Sequence, residues 1–207
     1  MNPNSKPWLS ILLPSINEEG RVAFLNSLIE NTTDLNSIEI VLTADKGAVP
    51  TLMGDLAKDA KADWVFLAND DLRCDTKGWD VEFRKLTKSF TDGVALFWPN
   101  DNMFHDRLAC FPLLRKDILE LYFPTPYLKY KLDDEIYHTF PFNRRFYIED
   151  IKFPHLNDDG KPGEGYPLPD GRIYKIDYEI GYQDELQWNS REARRQEIRD
   201  ELLSRMK

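Results

Sequence analysis

The sequence lacks the glycine-rich loops with which many proteins bind nucleotides. It contains no GxGxxG segment and no GxxxxGK[ST] segment, and glycine is scarce before residue 160. These absences argue against a dinucleotide-binding site and against a P-loop that cradles ATP phosphates. A GxSxG segment is also missing, so the serine nucleophile of an α/β-hydrolase is not predicted. A diphosphate bound by this chain would be held by a metal more readily than by a glycine cradle.

Cysteine is nearly absent, because Cys74 and Cys110 are the only two in the sequence. They form neither a CxxC pair nor the disulfide framework of a small secreted domain. We therefore expect reduced thiols in a cytoplasmic protein. The first residues lack a basic segment followed by an apolar one, so no signal peptide is predicted. No apolar run approaches the roughly 18–20 residues that cross a bilayer, and we expect a soluble protein.

Positive charge is in deficit. The 207 residues carry a net charge of −9 and a pI near 4.9, whereas general nucleic-acid binders present a basic face. One cationic cluster near the end of the sequence is interleaved with acidic residues, and we interpret it as an exposed helix of alternating charge. The cluster comprises Arg191, Arg194, Arg195 and Arg199.

Strand and helix patterns alternate along the first half of the sequence, which predicts a mostly parallel α/β sheet covered by helices. Apolar side chains at helical spacing, among them Val22, Leu25, Leu28 and Ile29, predict that the first helix packs on the sheet. The predicted strands lie at 8–14, 37–44, 63–68, 93–98 and 108–114. The predicted helices lie at 21–32, 51–62, 78–89 and 117–122.

The remaining residues are predicted to extend this single domain. We place the catalytic fold in residues 1–156 and a C-terminal extension in 157–207. Within the extension, the glycine- and proline-rich stretch 157–171 predicts a mobile loop. A short strand is predicted at 172–180, and a polar helix begins at about residue 190.

Three predicted strands end in polar residues, at 15–18, 45–46 and 69–71. In open α/β sheets, ligands bind beyond the carboxyl ends of the strands, so these residues are expected to line one crevice. The adjacent Asp70 and Asp71 repel each other, and a site that keeps both ionised usually holds a cation. Their oxygen ligands favour Mg²⁺ or Mn²⁺. Alternatively, the pair forms a solvated turn that caps a helix.

The segment WVFLANDDLRCDTKGWD at 64–80 resembles the metal-binding segment of family 2-like glycosyltransferases with the GT-A fold. Members of that family begin with an apolar strand that ends in Pro-Ser or Pro-Thr, as Pro14 and Ser15 do here. They also carry an Asp after a second strand, matched by Asp45. The family's DxD-type motif departs from its usual form in this sequence, where Asn69 occupies the first position.

The resemblance covers about residues 8–155 and implies a Rossmann-like GT-A sheet with a short C-terminal extension. His155 stands where family members carry a late His that completes the metal shell, whereas a lone His is otherwise a packed or surface residue. Asp45 would contact the base or the ribose, and Asp70 would lie near the ribose or the metal. The implied metal ligands are Asp71 and His155, and the implied nucleotide-sugar ligands are Pro14, Ser15, Glu18, Asp45 and Asp70.

The segment KLDDEIYHTF at 131–140 resembles the acidic helix start that supplies the catalytic base in inverting members. An acceptor hydroxyl loses its proton as it attacks the anomeric carbon, and a carboxylate can accept that proton. We expect Asp134 to be the base and Asp133 to be the close alternative. In the competing interpretation, Asp133 caps a helix and its acidic neighbours favour the helix dipole.

The resemblance implies a hexosyl- or pentosyltransferase that depends on Mn²⁺ or Mg²⁺ and takes its sugar from a nucleotide-sugar donor, which we expect to be UDP-linked. Two alternatives are a nucleotidyltransferase and a non-catalytic module that keeps the GT-A fold. The chain also resembles small transferases encoded by bacteriophages, some of which modify DNA bases. The acceptor is thus a glycan or a modified base in phage DNA, and the oligomeric state is not predicted.

Overall fold

A computed structural model describes residues 6–156 and 178–206, except for the side chain of Tyr178. The chain alternates between strands and helices along most of this length. The strands are β1 (Leu9–Pro14), β2 (Ile38–Thr43), β3 (Trp64–Leu67), β4 (Leu96–Asn100), β5 (Leu113–Arg115) and β6 (Arg145–Lys152). The helices are α1 (Glu18–Asn31), α2 (Val49–Asp59), α3 (Trp79–Lys88), α4 (Lys116–Leu119), α5 (Leu132–Thr139), α6 (Tyr178–Ser190) and α7 (Glu192–Arg205).

The six strands form one sheet in the spatial order β2-β1-β3-β5-β4-β6. β1 is parallel to β2 and β3, β4 is parallel to β6, and only the short β5 runs antiparallel to its neighbours. The predicted α/β class with a mostly parallel sheet is confirmed. As a result, the carboxyl ends of five strands lie along one edge. Within the described ranges, no helix combines the length and apolar character needed to cross a bilayer.

The strand β1, which lies between β2 and β3, is buried along its whole length. Because side chains alternate across a strand, β1 contributes to two apolar clusters, one on each side of the sheet. Leu9, Ile11 and Leu13 pack with residues of α1 and α3. Leu12 packs with residues of α2, α4, α5 and α7. The C-terminal helix α7 therefore shares a core with the first strand.

Many of the aromatic residues are core residues. Trp79 at the start of α3 lies with its ring centroid 6.2 Å from Phe66, 6.1 Å from Phe83 and 5.2 Å from Phe153. These tilted and edge-to-face contacts join a helix, the strand β3 and the segment after β6. These aromatic residues therefore pack α3 and the segment after β6 against one face of the sheet.

The buried face of α1 differs from the predicted one. Phe24 and Leu28 are buried, whereas Val22 is 49% exposed and Ile29 is 54% exposed. Asn17 caps the helix and accepts a hydrogen bond from the Gly20 N–H, so the helix begins before the predicted start at residue 21. Phe24 takes a core position beside Leu28, and the two members of the predicted stripe at its margins, Val22 and Ile29, face outward.

The strands β4 and β5 also differ from their predictions. The strand predicted at 93–98 is shifted, because Pro99 and Asn100 continue β4, with a register irregularity against β6 between them. The strand expected at 108–114 is reduced to the three residues of β5. Pro112 precedes this strand because it has no N–H to donate, although its carbonyl accepts a hydrogen bond from Leu67.

The C-terminal region contains two helices where one was predicted. The expected loop at 157–171 and most of the expected strand at 172–180 fall outside the described residues, and residues 178–180 belong to α6 instead of a strand. The arginine cluster is not a uniformly exposed surface, because Arg195 is buried and Arg191 pairs with the buried Glu135. The domain boundary at residue 156 stays a prediction.

Gly54 provides a test of the packing of α2. An ideal Cβ at this position would lie 2.8 Å from Phe123 Cδ1. Overpacking costs about 1–3 kcal/mol, whereas alanine gains about 0.5–1 kcal/mol over glycine in a helix. We expect Gly54→Ala to lower the Tm in thermal unfolding. Thr51→Ala, at an exposed position of the same helix, is the control, and a Tm increase in Gly54→Ala would contradict this packing.

Candidate functional site

The ends of β1 and β3 are joined by side-chain hydrogen bonds. Ser15 Oγ donates to Asp70 Oδ2 over 2.7 Å, and the Asn17 backbone N–H donates to the same oxygen over 3.1 Å. The N-terminus of α1 lies close by, because a Cβ on Gly20 would be 2.5 Å from the Asp70 carbonyl oxygen. The first turn of α1 can therefore approach the loop after β3 this closely because Gly20 has no side chain.

Asn17 was not among the predicted site residues. It caps α1 with its side chain and contacts Asp70 through its backbone, so it links the helix to the candidate site. The signal in the sequence was an Asn directly before Glu18-Glu19, which is a common helix start.

Other predicted nucleotide-sugar ligands lie along the same edge. Asp45 is exposed after β2, and its carboxylate accepts a hydrogen bond from Thr43 Oγ1 over 2.8 Å. The Ser15 N–H donates to the Thr43 carbonyl, which brings the ends of β1 and β2 together. Pro14 is the buried last residue of β1, and Glu18 is exposed in the first turn of α1. No side-chain hydrogen bond joins these three to Asp70 among the described residues.

Asp71 and His155 meet at the other side of this loop. His155 Nε2 lies 2.9 Å from Asp71 Oδ2. Their segments are also tied by backbone contacts, because the Leu156 N–H donates to the Asp71 carbonyl and Leu72 forms an isolated antiparallel bridge with His155. The His155 ring packs edge-on against Phe111, with centroids 5.2 Å apart. The two residues that the resemblance assigns to a metal are thus in direct contact.

Acidic neighbours determine the charge of His155. Burial alone would lower the pKa of this imidazole, but the hydrogen bond that the ring donates to Asp71 and the charges of Asp71, Asp101 and Asp133 outweigh burial and raise the pKa. The positive form of the ring is favoured because several carboxylate charges act on it. A bound cation would satisfy the same carboxylates.

The donor atoms of this pair suit a divalent ion. Asp71 Oδ1 is buried and has no hydrogen-bond partner in the described part of the chain. A carboxylate oxygen and an imidazole nitrogen are both ligands that Mn²⁺ accepts. No group of three or more His, Cys, Asp or Glu residues arranged for a metal occurs among residues 6–156 and 178–206. Phosphate oxygens and water would have to complete the coordination shell.

Asp101 is a site residue that the sequence pattern did not reveal. It is buried directly after β4, and its Oδ1 accepts the backbone N–H groups of Met103, Phe104 and His105 over 3.0, 2.9 and 3.1 Å. Its carbonyl oxygen accepts the His155 N–H over 3.0 Å. Asp101 therefore holds the loop after β4 against the segment that carries His155. The sequence signal was an Asp that opens a turn.

The Asp133-Asp134 pair lies in the first turn of α5. The Asp134 N–H donates to Asp133 Oδ1 over 3.0 Å. Burial, followed by the neighbouring charge of Asp134, raises the pKa of Asp133 to about 7. A carboxylate that titrates near neutral pH can both accept and release a proton under physiological conditions.

The Asp133-Asp134 pair influences both the Asp71–His155 pair and Cys110 through its charges. The charge of Asp133 acts on His155. Burial and the charges of Asp133, Asp101 and Asp134 raise the pKa of the Cys110 thiol well above its usual value, so this thiol stays protonated. Asp133 of the predicted base helix is therefore close enough to the predicted metal pair for its charge to act on His155.

Comparisons with known proteins extend the description of the fold. No family model and no curated protein sequence matches the chain. Among solved structures, S. aureus TarS 1–349 with UDP-GlcNAc is 16% identical, over 95% of this chain and 72% of that one, with a TM-score of 0.50. The same fragment with UDP is 14% identical, over 95% and 71%, with a TM-score of 0.51.

A variant of a Drosophila β1,4-galactosyltransferase 7 with manganese, UDP-Gal and xylobiose is 12% identical, over 83% of this chain and 79% of that one, with a TM-score of 0.49. The chain spans 36% of a longer TarS structure. The likeness to TarS shows that the chain has a GT-A-like glycosyltransferase fold, as the sequence predicted.

The raised pKa of Asp133 predicts a pH-dependent effect of Asp133→Asn on stability. At pH 5 the wild-type carboxyl is protonated and resembles the amide, whereas at pH 8 it is ionised beside Asp134. A raised folded-state pKa makes the folded state lose stability as the pH rises towards 7. Asp133→Asn should therefore raise the Tm, relative to wild type, more at pH 8 than at pH 5.

This comparison is made in EDTA, so that no metal competes for the carboxylates. The control is Asp59→Asn at the exposed end of α2, and the effect of this variant should not depend on pH in the same way. An equal Tm difference for Asp133→Asn at both pH values would contradict the raised pKa.

Proposed function

We propose that the chain is a metal-dependent glycosyltransferase that moves a sugar from a nucleotide-sugar donor to an acceptor hydroxyl. The observation that carries this proposal is the 2.9 Å contact between Asp71 and His155, on which the charges of Asp101 and Asp133 also act. In the proposal, these residues line a crevice at the carboxyl edge of a GT-A-like sheet, where open α/β folds bind their ligands.

The nucleotide would bind along the ends of β1, β2 and β3. In this proposal, Asp45 contacts the base or ribose, and Ser15 and Glu18 line the pocket that begins at Pro14. Asp70 is already oriented by Ser15, so its carboxylate is positioned before the donor arrives. TarS was crystallised with UDP-GlcNAc and with UDP, which supports a UDP-linked donor.

Asp71 and His155 would hold Mn²⁺ or Mg²⁺ together with the donor diphosphate. Such an ion acts as a Lewis acid that stabilises the negative charge of a departing diphosphate. A diphosphate alone would be repelled by Asp71, Asp101 and Asp133, so the acidic crevice needs a cation before it can accept this donor. This requirement is why we propose metal dependence for a site with two protein ligands.

Asp133 or Asp134 would act as the catalytic base. The pKa of Asp133 near 7 favours this residue and reverses the order expected from the sequence. The acceptor oxygen forms a bond to the anomeric carbon, the bond from that carbon to the phosphate oxygen breaks, and the acceptor proton passes to the carboxylate. Attack from the face opposite the leaving group would invert the anomeric centre.

Asp71→Ala tests the donor site through thermal unfolding. A ligand at 100 times its Kd stabilises the folded state by about 2.7 kcal/mol, which corresponds to roughly 5–10 °C for a chain of this size. We expect wild type to show such a shift with UDP or UDP-GlcNAc only when Mn²⁺ is present, and Asp71→Ala to show none.

Asp75→Ala serves as the nearby control, because the Asp75 side chain pairs with Arg73 at the surface. It should keep the full shift. If a panel of nucleoside diphosphates and nucleotide sugars stabilises wild type neither with nor without Mn²⁺, the glycosyltransferase proposal is wrong and a non-catalytic module with this fold is favoured.

Asp133→Asn tests the base. General-base catalysis contributes about 10²- to 10⁴-fold, so we expect the rate of UDP release from UDP-GlcNAc, with water as the acceptor, to fall by about that factor. The affinity for Mn²⁺ and UDP should remain within a few-fold, because the donor contacts are elsewhere. Asp134→Asn is measured in parallel, and a larger loss in that variant would assign the base to Asp134.

A further inference from the structure

The C-terminal helices pack behind the helix that carries the two candidate bases. Glu135 follows Asp133 and Asp134 directly, and its side chain is fully buried. Arg191, between α6 and α7, donates from Nε and Nη2 to the two carboxylate oxygens of Glu135 over 2.9 and 3.1 Å. This two-bond geometry fixes the direction of both side chains, and so restrains α5 against rotation about its axis.

A second attachment holds the segment immediately before α5. Asp184 on α6 is fully buried and accepts three consecutive backbone N–H groups. The donors are Leu128, Lys129 and Tyr130, at 2.7, 3.0 and 2.7 Å. The following residue, Lys131, has a φ of +75°, a conformation that side-chain-bearing residues rarely adopt. The chain is thus held in a specific path up to the first residue of α5.

Further contacts join α6 to α7, and join these two helices to α5 and to the residue before it. The Arg195 guanidinium lies 3.9 Å from the centroid of the Trp188 ring and donates to the Trp188 carbonyl over 2.6 Å. Lys131 Nζ lies 3.1 Å from Glu185 Oε2. Ile198 of α7 belongs to the same apolar cluster as Ile136 of α5. The two helices therefore contact α5 with both polar and apolar groups.

We propose that Asp184, Glu135 and Arg191 are positioning residues, which set where α5 presents the Asp133 and Asp134 carboxylates in the crevice. This inference rests on the proposed function. Asp184 holds the residues before the carboxylates, and Arg191 holds the residue after them, so the pair is bracketed by two separate attachments to one helical unit. A displacement of about 1 Å at a reacting group can cost about 10²-fold in rate.

The alternative is that these contacts only stabilise the fold. A buried ion pair is often no more stabilising than apolar residues of similar volume. Its directional hydrogen bonds, however, restrict the orientation of the two side chains more narrowly than apolar contacts would. The two roles differ in what they change, because loss of positioning lowers kcat without weakening donor binding. General destabilisation affects the folded fraction and leaves the kcat of the remaining folded enzyme unchanged.

Asp184→Asn is the first variant. The amide keeps one acceptor oxygen but opposes an N–H of the 128–130 segment with its NH₂ group. Its matched control is Asp80→Asn, because Asp80 is also buried and accepts two consecutive backbone N–H groups, from Thr33 and Asp34, over 2.9 and 3.0 Å. Asp80 lies beside the segment leading into β2, at the opposite edge of the sheet from the crevice.

Arg191→Gln is the second variant, and Arg144→Gln is its control. Arg144 pairs with Asp92 through two hydrogen bonds of 2.8 and 3.2 Å. This pair is also largely buried but lies where β4 and β6 begin, far from the crevice. If Arg191→Gln does not fold, because Glu135 is left without its counter-charge, the double variant Glu135→Gln/Arg191→Gln replaces it.

The readouts are kcat and KM for UDP release from UDP-GlcNAc with Mn²⁺, the Tm, the Kd for UDP with Mn²⁺, and hydrogen exchange of the backbone amides at 132–139. We expect kcat to fall at least tenfold in Asp184→Asn and in the Arg191 variant, with KM and Kd within twofold of wild type and faster exchange along α5. The two controls should lose Tm but keep kcat and the exchange rate of α5.

Equal kcat losses in the variants and their controls would overturn the inference, as would a KM that rises in proportion to the loss of kcat. If wild type releases no UDP and the nucleotide panel does not stabilise it, the proposed function fails. The exchange data then still decide the structural half of the inference, because unchanged protection of α5 in Asp184→Asn would show that these residues do not hold the helix.

Discussion

At the carboxyl edge of the sheet, the 2.9 Å hydrogen bond between Asp71 and His155 joins two segments that are 84 residues apart in the sequence. It connects the loop after β3 with the chain that leaves β6, and Asp101 supports it through the His155 backbone. The charges of three carboxylates, those of Asp71, Asp101 and Asp133, then act on one imidazole. Their mutual repulsion is the constraint that a cation would relieve, and the proposed metal and diphosphate chemistry follows from it.

In the proposed function, donor binding and placement of the base belong to different parts of the fold. Strands β1 to β3 and the start of α1 would form the donor side, with Asp70 oriented by Ser15. α5 forms the base side and is supported by α6 and α7. Asp133 is destabilising when ionised, since burial raises its pKa to about 7. Groups with strongly shifted pKa values, such as the Asp133 carboxyl, are common in active sites, where surrounding contacts hold them in place.

The sequence predicted those elements whose signals are local. Apolar runs located β1 and β3, and the acidic residues after them predict that ligands bind at the carboxyl edge of the sheet. The contact between Asp71 and His155 was expected only through the resemblance, because no spacing shows which residues meet across the sheet. Asp101 was missed because a buried Asp and a solvated turn have the same sequence pattern. The Arg191–Glu135 pair was missed for a related reason, since alternating charges normally indicate an exposed helix.

A crystal structure with Mn²⁺ and UDP, with anomalous scattering measured at the manganese edge, tests the central claim most directly. The account predicts one manganese peak within about 2.5 Å of an Asp71 carboxylate oxygen and a His155 ring nitrogen. The direct hydrogen bond between these residues would then be replaced by coordination, and the UDP phosphates would complete the shell. A peak elsewhere, or UDP bound while the Asp71–His155 hydrogen bond stays intact, would contradict the account.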